Sequence, residues 1–209
     1  MKTGKFITIE GIEGAGKSTC IQVLTEAIEQ QGIPLLPTRE PGGTELGEAL
    51  RTLLLGHQHT GMADKSELLL LFAARAEHLQ QKIVPALQAG KWVLCDRFTD
   101  ATYAYQGAGR GLSQDSITLL EDWVQEGLQP DLTMLLDLPV ELGLQRAGKR
   151  STPDRFERED IAFFQRIRQG YLDIAAEQPQ RVTIVDASRS LATVSAAICQ
   201  VIQDFIRAN

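Results

Sequence analysis

A glycine-rich run at residues 11–19 restricts the fold of this chain more than any other feature. The run follows the apolar residues 6–10 and precedes a stretch of helical period. It consists of Gly11, Ile12, Glu13, Gly14, Ala15, Gly16, Lys17, Ser18 and Thr19. Glycines at this spacing let backbone N–H groups surround phosphate oxygens, while Lys17 adds positive charge and Ser18 can bind Mg²⁺. The run therefore predicts a strand, a phosphate-binding loop and a helix in succession.

Short apolar runs alternate along the chain with longer stretches of helical period, which is typical of a parallel sheet covered by helices on both faces. The predicted strands are residues 6–10, 33–37, 92–95, 132–137 and 182–185. The predicted helices are residues 18–31, 66–89, 113–127, 160–177 and 191–208. The second helix is expected to bend at Pro85, which lacks a backbone N–H. We predict one α/β domain over residues 1–209, with ligands at the carboxyl ends of the strands.

The charge balance and the cysteines limit the class of protein. The chain has 21 Lys and Arg against 27 Asp and Glu, a net charge of -6, which argues against a protein that coats nucleic acid. The longest apolar run, residues 68–74, is too short to span a bilayer. Cys20, Cys95 and Cys199 are far apart, and we interpret them as buried thiols of a reducing compartment. These features predict a soluble cytoplasmic protein with no nucleic-acid or membrane partner.

Arginines follow the second and third predicted strands. Arg39 follows the second strand, Arg97 comes directly after Asp96 at the end of the third, and Arg51 lies on the next helix after Arg39. A hydrolase would need a group that positions water near Arg97, whereas a guanidinium binds anions. Because arginines at one edge of a sheet repel each other, they predict a second substrate that carries a phosphate. The alternative is an ion pair between Arg97 and Asp96 or another carboxylate, with Arg51 solvated.

A second cluster has the side chains that a planar base requires. It consists of Leu71, Phe72, Arg75, Thr102, Tyr103, Tyr105 and Gln106. Apolar or flat side chains stack on a ring, an arginine offers a fork of donors, and an amide offers both a donor and an acceptor. Core packing explains Phe72 and the tyrosines equally well. The glycine-rich residues 106–111 are predicted to be flexible.

A basic segment, predicted as a mobile lid at residues 144–156, follows the fourth predicted strand. Its cations include Arg146, Lys149, Arg150 and Arg155. Transfer of a γ-phosphoryl group spreads charge over its equatorial oxygens, and a mobile cationic lid can stabilise that charge and exclude water. The alternative is a solvated charged helix with pairs such as Arg155 and Glu159.

Together these segments resemble the bacterial thymidylate kinases, which are nucleoside monophosphate kinases of the P-loop type. The resemblance extends over residues 11–19, 38–44, 96–98, 104–107, 130–132 and 154–157. It implies a five-stranded parallel sheet in the order 2-3-1-4-5, flanked by helices. The implied reaction transfers the γ-phosphoryl of ATP to dTMP and gives dTDP for dTTP synthesis. The resemblance also implies Mg²⁺ as cofactor and a homodimer.

The same resemblance implies roles for individual residues. The residues expected at dTMP are Glu13, Arg39, Glu40, Arg51, Leu71, Phe72, Arg75, Arg97, Thr102, Tyr105 and Gln106. Those expected at ATP are residues 11–19 with Arg146, Lys149 and Arg150. The expected catalytic residues are Lys17, Arg97 and Arg150, and the expected Mg²⁺ ligands are Ser18 and Asp96.

Within this set, Arg39, Arg51 and Arg97 match the acceptor-phosphate residues, and Arg75, Thr102 and Gln106 match the thymine edge. Tyr105 takes the place that rejects a 2′-hydroxyl, and Glu13 takes that of the carboxylate near the 3′-hydroxyl. Because residues 12, 13 and 15 include no arginine, the lid is expected to supply the catalytic one.

One position departs from the family pattern. Many members place a stacking phenylalanine four residues before the base-reading arginine, where this chain has Leu71, while Phe72 stands three before Arg75. Either side chain could therefore stack on the base.

Two other functions remain open from the sequence. One is a kinase for another nucleotide or a deoxynucleoside, which assays with different acceptors would reveal. The other is a nucleotide-dependent switch ATPase, against which the arginines at the acceptor site argue.

Overall fold

The computed structural model describes residues 4–59, 61–148, 155–157 and 159–209. The strands in this part of the chain are β1 Phe6–Glu10, β2 Leu35–Arg39, β3 Trp92–Asp96, β4 Leu132–Asp137 and β5 Val182–Asp186. They form one sheet in the order β2-β3-β1-β4-β5, and all neighbouring strands are parallel. The expected fold class and strand order are confirmed.

Helices connect these strands. In the described residues the α-helices are α1 Lys17–Glu29, α2 Glu45–Leu55, α3 Asp64–His78, α4 Val84–Gln88, α5 Thr99–Thr102, α6 Gln114–Gln125, α7 Val140–Ala147, α8 Ile161–Glu177 and α9 Leu191–Ala208. Two segments, Leu79–Ile83 and Tyr103–Gly109, are π-helical, and His57–His59 form a 3-10 turn. Arg51 lies on α2, as predicted.

The central strand β1 positions the site. All five of its residues are buried, because it lies between β3 and β4 and is covered on both faces. Ile9 pairs with Asp96 of β3, and Glu10 pairs with Leu135 of β4. The glycine-rich loop therefore leaves β1 at the carboxyl edge of the sheet, beside the end of β3.

Strand β2 lies later in the sequence than the predicted residues 33–37. Pairing with β3 sets its limits, since Leu35 lies beside Trp92 and Arg39 lies beside Asp96. β2 is an edge strand in which Arg39 is exposed, so its last residues are polar. Because these last residues are not apolar, a prediction from apolar runs ends the strand two residues too early.

The predicted helix at residues 66–89 is divided into α3, the π-helical Leu79–Ile83 and α4. Pro85 cannot donate a hydrogen bond to the carbonyl four residues before it. The chain changes its hydrogen-bonding pattern just ahead of this residue, where the Val84 N–H donates to the Leu79 carbonyl. The interruption near Pro85 is confirmed, and the prediction of one continuous α-helix is wrong.

The segment predicted to be flexible is packed instead. Gly107 and Gly109 lie in the π-helical Tyr103–Gly109 and are buried. A Cβ added at Gly109 would lie 2.8 Å from Phe163 Cε2 on α8. Gly109 therefore allows close packing against α8, and the prediction of a flexible segment is wrong for residues 106–109.

The cysteines are free thiols that differ in exposure. Cys20 and Cys95 are buried, but Cys199 on α9 is only half-buried, so the prediction of a buried thiol is wrong there. Among the described residues, α9 is the one helix whose length and composition would suffice to cross a membrane. It buries Val194, Ile198 and Ile202, and it packs against α1 and β5.

Candidate active site

The glycine-rich loop has backbone angles that suit glycine. Gly11, Gly14 and Gly16 all have positive φ, of 139°, 74° and 91°. A Cβ at Gly14 would lie 1.9 Å from the Gly143 carbonyl oxygen of α7, so a side chain there is excluded. The helix α1 begins directly after Gly16, so the loop and the first turn of α1 direct backbone N–H groups to one place.

The other loop residues divide between core and cavity. Ile12 and Ala15 are buried in the main hydrophobic core, so their side chains hold the loop to the sheet. Thr19 is partly buried on the first turn of α1. Three polar side chains of this loop, Glu13, Lys17 and Ser18, line the cavity described below.

Lys17 lies folded back on its own loop. Its Nζ donates to the carbonyl oxygens of Gly11 at 2.9 Å and Ile12 at 3.0 Å. Burial lowers the pKa of Lys17 to about 8; nearby Arg97 lowers it too, and Asp96 and Glu13 raise it. A bound polyphosphate would favour the charged ammonium and offer it better acceptors than carbonyl oxygens.

Glu13 joins two predicted site residues. Arg97 donates through Nη2 to Glu13 Oε1 at 2.9 Å, and the Tyr105 hydroxyl donates to the two Glu13 oxygens at 2.7 and 2.8 Å. Burial alone would raise the pKa of Glu13, but the charges of Arg97 and Lys17 hold it below its usual value. The ion pair foreseen as an alternative for Arg97 is thus present, with Glu13 as the partner.

Arg97 has unusual backbone geometry. Its φ of 69° is left-handed, which is uncommon for a residue other than glycine. Its N–H donates to the Ile9 carbonyl at 3.0 Å, and its guanidinium carbon lies 4.6 Å from the centre of the Tyr105 ring. The next residue, Phe98, donates its N–H to Glu10 Oε1 at 2.6 Å. These contacts hold the turn that aims Arg97 at the loop.

A cavity of about 320 Å³ brings most of the predicted residues together. The predicted residues that line it are Glu13, Gly14, Lys17, Ser18, Arg39, Glu40, Arg51, Leu71, Arg75, Asp96, Arg97, Thr102, Tyr105 and Gln106. It is also lined by residues to which the sequence assigned no binding or catalytic role, namely Pro41, Leu55, Phe98, Ala101, Ala147, Phe156 and Glu157. Phe72 does not line the cavity.

Two arginines besides Arg97 line this cavity and lie close to each other. Arg51 donates to the Pro41 carbonyl at 2.9 Å, and Arg39 donates to Glu48 Oε2 at 2.8 Å. Burial and the nearby positive charge of Arg39 lower the pKa of Arg51. Arg39, Arg51 and Arg97 therefore concentrate positive charge around one part of the cavity, and Glu48 balances part of it.

Arg75 also lines this cavity and is held by two polar partners. Its Nε donates to Glu40 Oε2 at 2.8 Å, and its Nη2 donates to the Thr102 hydroxyl at 3.0 Å. The buried Nη1 has no hydrogen-bond partner among the residues that the structure describes. The guanidinium carbon lies 4.8 Å from the centre of the Phe72 ring, so Phe72 packs behind Arg75. Leu71 is the one of the two candidate stacking residues that lines the cavity.

Gln106 is held by a carboxylate that sequence reasoning missed. Its Nε2 donates to Glu67 Oε1 at 2.8 Å, and Glu67 is fully buried. Glu67 also contacts Arg110 at 3.4 Å and Arg155 at 2.5 Å. Glu67 precedes Leu71 by four residues and Arg75 by eight, so all three lie on one side of α3. That spacing was the available sequence signal.

The basic segment is only partly described. Lys149 and Arg150 lie outside the described residues. Arg146 donates to the carbonyl oxygens of Ala187 at 2.8 Å and Ser188 at 3.2 Å, beyond the end of β5. Arg155, predicted to be a cation of the mobile lid, is instead buried, donates to the Leu54 carbonyl and pairs with Glu67. Glu159 pairs with Arg110 rather than with Arg155.

Comparison with known proteins identifies the family. The family model described as thymidylate kinase matches residues 9–198. A thymidylate kinase from Methylococcus capsulatus is 56% identical over 198 residues, which covers 95% of this chain and 94% of that protein. One from Pseudomonas entomophila is 57% identical over 196 residues, with coverage of 94% and 93%. The chain belongs to the thymidylate kinase family.

A solved thymidylate kinase has the same fold. The crystal structure of the protein from Ehrlichia chaffeensis matches with a TM-score of 0.77 at 36% identity, covering 96% of this chain and 99% of that one. As a thymidylate kinase, the enzyme transfers the γ-phosphoryl of ATP to dTMP and forms dTDP. The kinase interpretation is thus favoured over that of a switch ATPase.

Proposed function

We propose that residues 11–19 bind the phosphates of ATP, that the cavity binds dTMP, and that the two phosphate chains meet between Lys17 and Arg97. The observation that carries this proposal is the extent of the cavity. Its lining includes Lys17 and Ser18 of the loop as well as Arg75 and Gln106, so one continuous space joins cations to base-reading groups. We propose that the acceptor phosphate lies at a cationic end, near Lys17 and Arg97, and that the base lies at the opposite, base end. We propose that residues 1–209 form one kinase domain around this space.

The cationic end suits the acceptor phosphate. A phosphate dianion offers Arg97 a stronger acceptor than the Glu13 carboxylate, and it would relieve the repulsion between Arg39, Arg51 and Arg97. Burial raises the pKa of the Tyr105 hydroxyl well above its usual value, so this hydroxyl remains a hydrogen-bond donor to Glu13. Glu13, held in this way, can accept from the sugar 3′-hydroxyl, while the Tyr105 ring occupies the space that a 2′-hydroxyl would need.

The reaction needs positioning and charge more than covalent chemistry. A phosphate oxygen of dTMP attacks the γ-phosphorus of ATP, a new P–O bond forms, and the bond to the bridging oxygen of ADP breaks. Lys17, released from the carbonyls of Gly11 and Ile12, neutralises the phosphoryl oxygens. Arg97 holds the attacking phosphate in line. The residues thus stabilise charge where it develops, and none of them needs to form a bond with the phosphoryl group.

The site also has residues that fit Mg²⁺. Asp96 Oδ1 is buried and has no hydrogen-bond partner among the described residues, and Ser18 lines the same cavity. Such a pair suits Mg²⁺, which takes few protein ligands when phosphates and water supply the rest. When bound, Mg²⁺ would supply charge neutralisation at the ATP phosphates. Ser18 and Asp96 would hold it.

The base end of the cavity suits a base that presents a carbonyl oxygen at its edge. Arg75 Nη1, which lacks a partner among the described residues, can donate to a base oxygen, and Thr102 and Glu40 fix the guanidinium around it. Leu71 and Phe98 supply apolar surface along the cavity wall. We propose that Leu71 packs on the base and that Phe72 acts through Arg75.

We propose that the lid at residues 144–156 closes over ATP with Arg146, Lys149 and Arg150, and that Arg150 reaches the transferring phosphoryl. Arg155 serves instead as an anchor, because it is buried against Glu67 and Leu54. The hydrogen bonds from Arg146 to the carbonyls of Ala187 and Ser188 can hold its side chain near the base of ATP. To reach the phosphates of ATP, Arg146 must break these hydrogen bonds.

We also propose that the enzyme is a cytoplasmic homodimer. Leu69 on α3 is 57% exposed, and Leu119 and Trp123 on α6 are 71% and 78% exposed. Because α3 packs beside α6, these side chains can form one apolar surface. A second copy of the chain would cover it. Free thiols at all three cysteines agree with a reducing compartment.

Replacement of Arg97 by alanine tests the acceptor-phosphate assignment. We expect kcat/KM for dTMP to fall on the order of 100-fold or more, because a buried charge–phosphate contact of the transition state is lost. The Kd for MgATP, measured by isothermal titration, should change by less than about threefold. Arg189→Ala is the matched control, since Arg189 is exposed and forms an ion pair with Asp186. Unchanged dTMP kinetics in Arg97→Ala would remove Arg97 from the acceptor site.

A further inference from the structure

Glu67 is a buried carboxylate on which two arginines converge. Arg110 Nε lies 3.4 Å from its Oε1, and Arg155 Nη2 lies 2.5 Å from its Oε2. Arg110 Nη2 also lies 3.4 Å from Oε2. Both oxygens of this carboxylate thus face guanidinium N–H groups, which can only donate, and the two positive charges stabilise its negative charge. Glu67 therefore accepts hydrogen bonds and cannot donate them.

This charge decides how the Gln106 amide is oriented. An amide has an NH₂ group that donates and an oxygen that accepts, and the two can exchange places by rotation about one bond. Beside a carboxylate only the NH₂ group makes a favourable contact, and Gln106 Nε2 lies 2.8 Å from Glu67 Oε1. The amide oxygen is left as the group that Gln106 can offer to a ligand in the cavity it lines.

We propose that Glu67 is a positioning residue that fixes the Gln106 amide with its oxygen toward the base, so that the cavity selects pyrimidines that carry N3–H. This inference rests on the proposed function, in which the cavity binds the acceptor base between Arg75 and Gln106. It adds a residue that does not itself line the cavity.

The chemistry of the pyrimidine edge explains the selection. Thymine and uracil present an O4 acceptor beside an N3–H donor, which complement an Arg75 donor beside a Gln106 acceptor. Cytosine presents an N4 amino donor beside an N3 acceptor, so both contacts become unfavourable. If the amide could rotate, the Gln106 NH₂ group would meet cytosine N3, and half of the discrimination would be lost. A fixed amide prevents this.

Glu67→Gln tests the proposal. In this variant the new amide oxygen is held by Arg110 and Arg155, so the new NH₂ group faces Gln106 and favours rotation of the Gln106 amide. The Kd values of dTMP, dUMP and dCMP are measured by competition. We expect the ratio of the dCMP to the dTMP Kd to fall at least about tenfold, and the ratio of dUMP to dTMP to change by less than about twofold. An unchanged dCMP to dTMP ratio in a folded variant overturns the proposal.

Two further variants make the result decisive. Glu67→Asp keeps the charge between the two arginines but withdraws the carboxylate from Gln106, so it should also lower the dCMP to dTMP ratio. If Glu67→Gln does not fold, Glu67→Asp decides the question alone. Asp131→Asn is the control, because Asp131 pairs with Lys5 at the other edge of the sheet and should leave all three Kd values unchanged.

Gln106→Leu separates this inference from the proposed function. If the cavity binds the base, this variant weakens dTMP binding at least about tenfold. Unchanged dTMP binding would contradict the proposed base site itself. Weaker dTMP binding in Gln106→Leu, together with an unchanged ratio in the Glu67 variants, would contradict only the positioning role of Glu67.

Discussion

Glu10 shows how a single buried residue supports the site without lining the cavity. It is the last residue of β1 and is fully buried. It accepts from the Phe98 N–H at 2.6 Å and from the Tyr171 hydroxyl at 2.7 Å. Burial and the nearby charge of Asp100 raise the pKa of Glu10 to about 8. Because Phe98 follows Arg97, Glu10 also holds the turn that carries Arg97.

Glu10 should make stability depend on pH. Its pKa is about 8 in the folded enzyme and 4.5 in its unperturbed state, so between these values the folded state binds the extra proton. Stability must then fall as pH rises from about 4.5 through 8. Glu10→Gln cannot ionise, so between pH 5.5 and 8 its free energy of unfolding should fall less steeply than that of the unmodified enzyme.

Urea unfolding at several pH values measures this difference. Groups that titrate elsewhere contribute equally to both proteins and cancel when the two pH profiles are subtracted. Asp131→Asn, which removes a partly exposed carboxylate, should keep the slope of the unmodified enzyme. Parallel profiles for Glu10→Gln and the unmodified enzyme would mean that Glu10 is ionised across this range.

At the residue scale, the sequence predicted ligand-facing side chains better than their supports. Lys17, Arg75 and Arg97 stand in recognisable motifs, and all three line the cavity. Glu67 and Glu48 instead hold other side chains of the site in place. Glu67 binds Gln106, which is distant in sequence, and Glu48 reaches Arg39 because the chain turns between β2 and α2. Such pairings become visible only when the helices are placed.

At the scale of elements, α8 and the π-helical Tyr103–Gly109 lie against each other through small residues. A Cβ added at Gly170 of α8 would lie 2.8 Å from the Ala108 Cβ, and one added at Gly109 would be as close to Phe163. This close approach holds Tyr105 and Gln106 at the cavity. The base end of the site therefore depends on the spacing between two helices.

Gly170→Ala should disturb that spacing. Alanine favours a helix by about 1 kcal/mol over glycine, but a contact of 2.8 Å between two Cβ atoms forces the backbones apart. We expect a net loss of about 1–2 kcal/mol in the free energy of unfolding and a higher KM for dTMP. Chemical denaturation and steady-state kinetics measure these effects. Gly61→Ala is the control, because a Cβ there would meet no atom within 4 Å in the described part of the chain, apart from its chain neighbours. A more stable variant with an unchanged KM would contradict this account.

The elements themselves were predictable to different degrees. β1 and β4 have the predicted limits because they are buried, apolar and central. The short helices α5 and α7 escaped prediction, since α7 buries only small residues and Val140, which gives no strong apolar period. One π-helical segment is explained by Pro85, and the other by packing against α8. The spacing of apolar residues in the sequence predicts neither of them.

At the scale of the whole molecule, the parallel sheet places the cavity away from other contacts of the fold. Every strand ends at the edge that carries the cavity, while the Lys5 and Asp131 pair lies at the opposite edge. The apolar surface on α3 and α6 lies outside the cavity, since Leu69, Leu119 and Trp123 do not line it. Catalysis and assembly can therefore be altered separately.

Charge on α6 should separate the proposed dimer. Leu119 and Trp123 stand four residues apart and face the same side of α6. Leu119→Glu combined with Trp123→Glu would place two like charges from each copy in the interface, and burial of unpaired charge opposes association. We expect sedimentation velocity to show a dimer for the unmodified enzyme and a monomer for the double variant. Leu191→Glu, an exposed position on α9, should remain dimeric. A monomeric unmodified enzyme would contradict the proposed assembly.

Because the three cysteines differ in burial, a thiol reagent should react with one of them before the others. Burial raises the pKa of Cys20 to about 11 and that of Cys95 well above its usual value, so both are almost wholly protonated near neutral pH. Cys199 is the accessible thiol, and it lies on α9. A maleimide dye would therefore attach at one place without mutagenesis, far along the chain from the glycine-rich loop. Its fluorescence would then follow detachment of the C-terminal helix during unfolding.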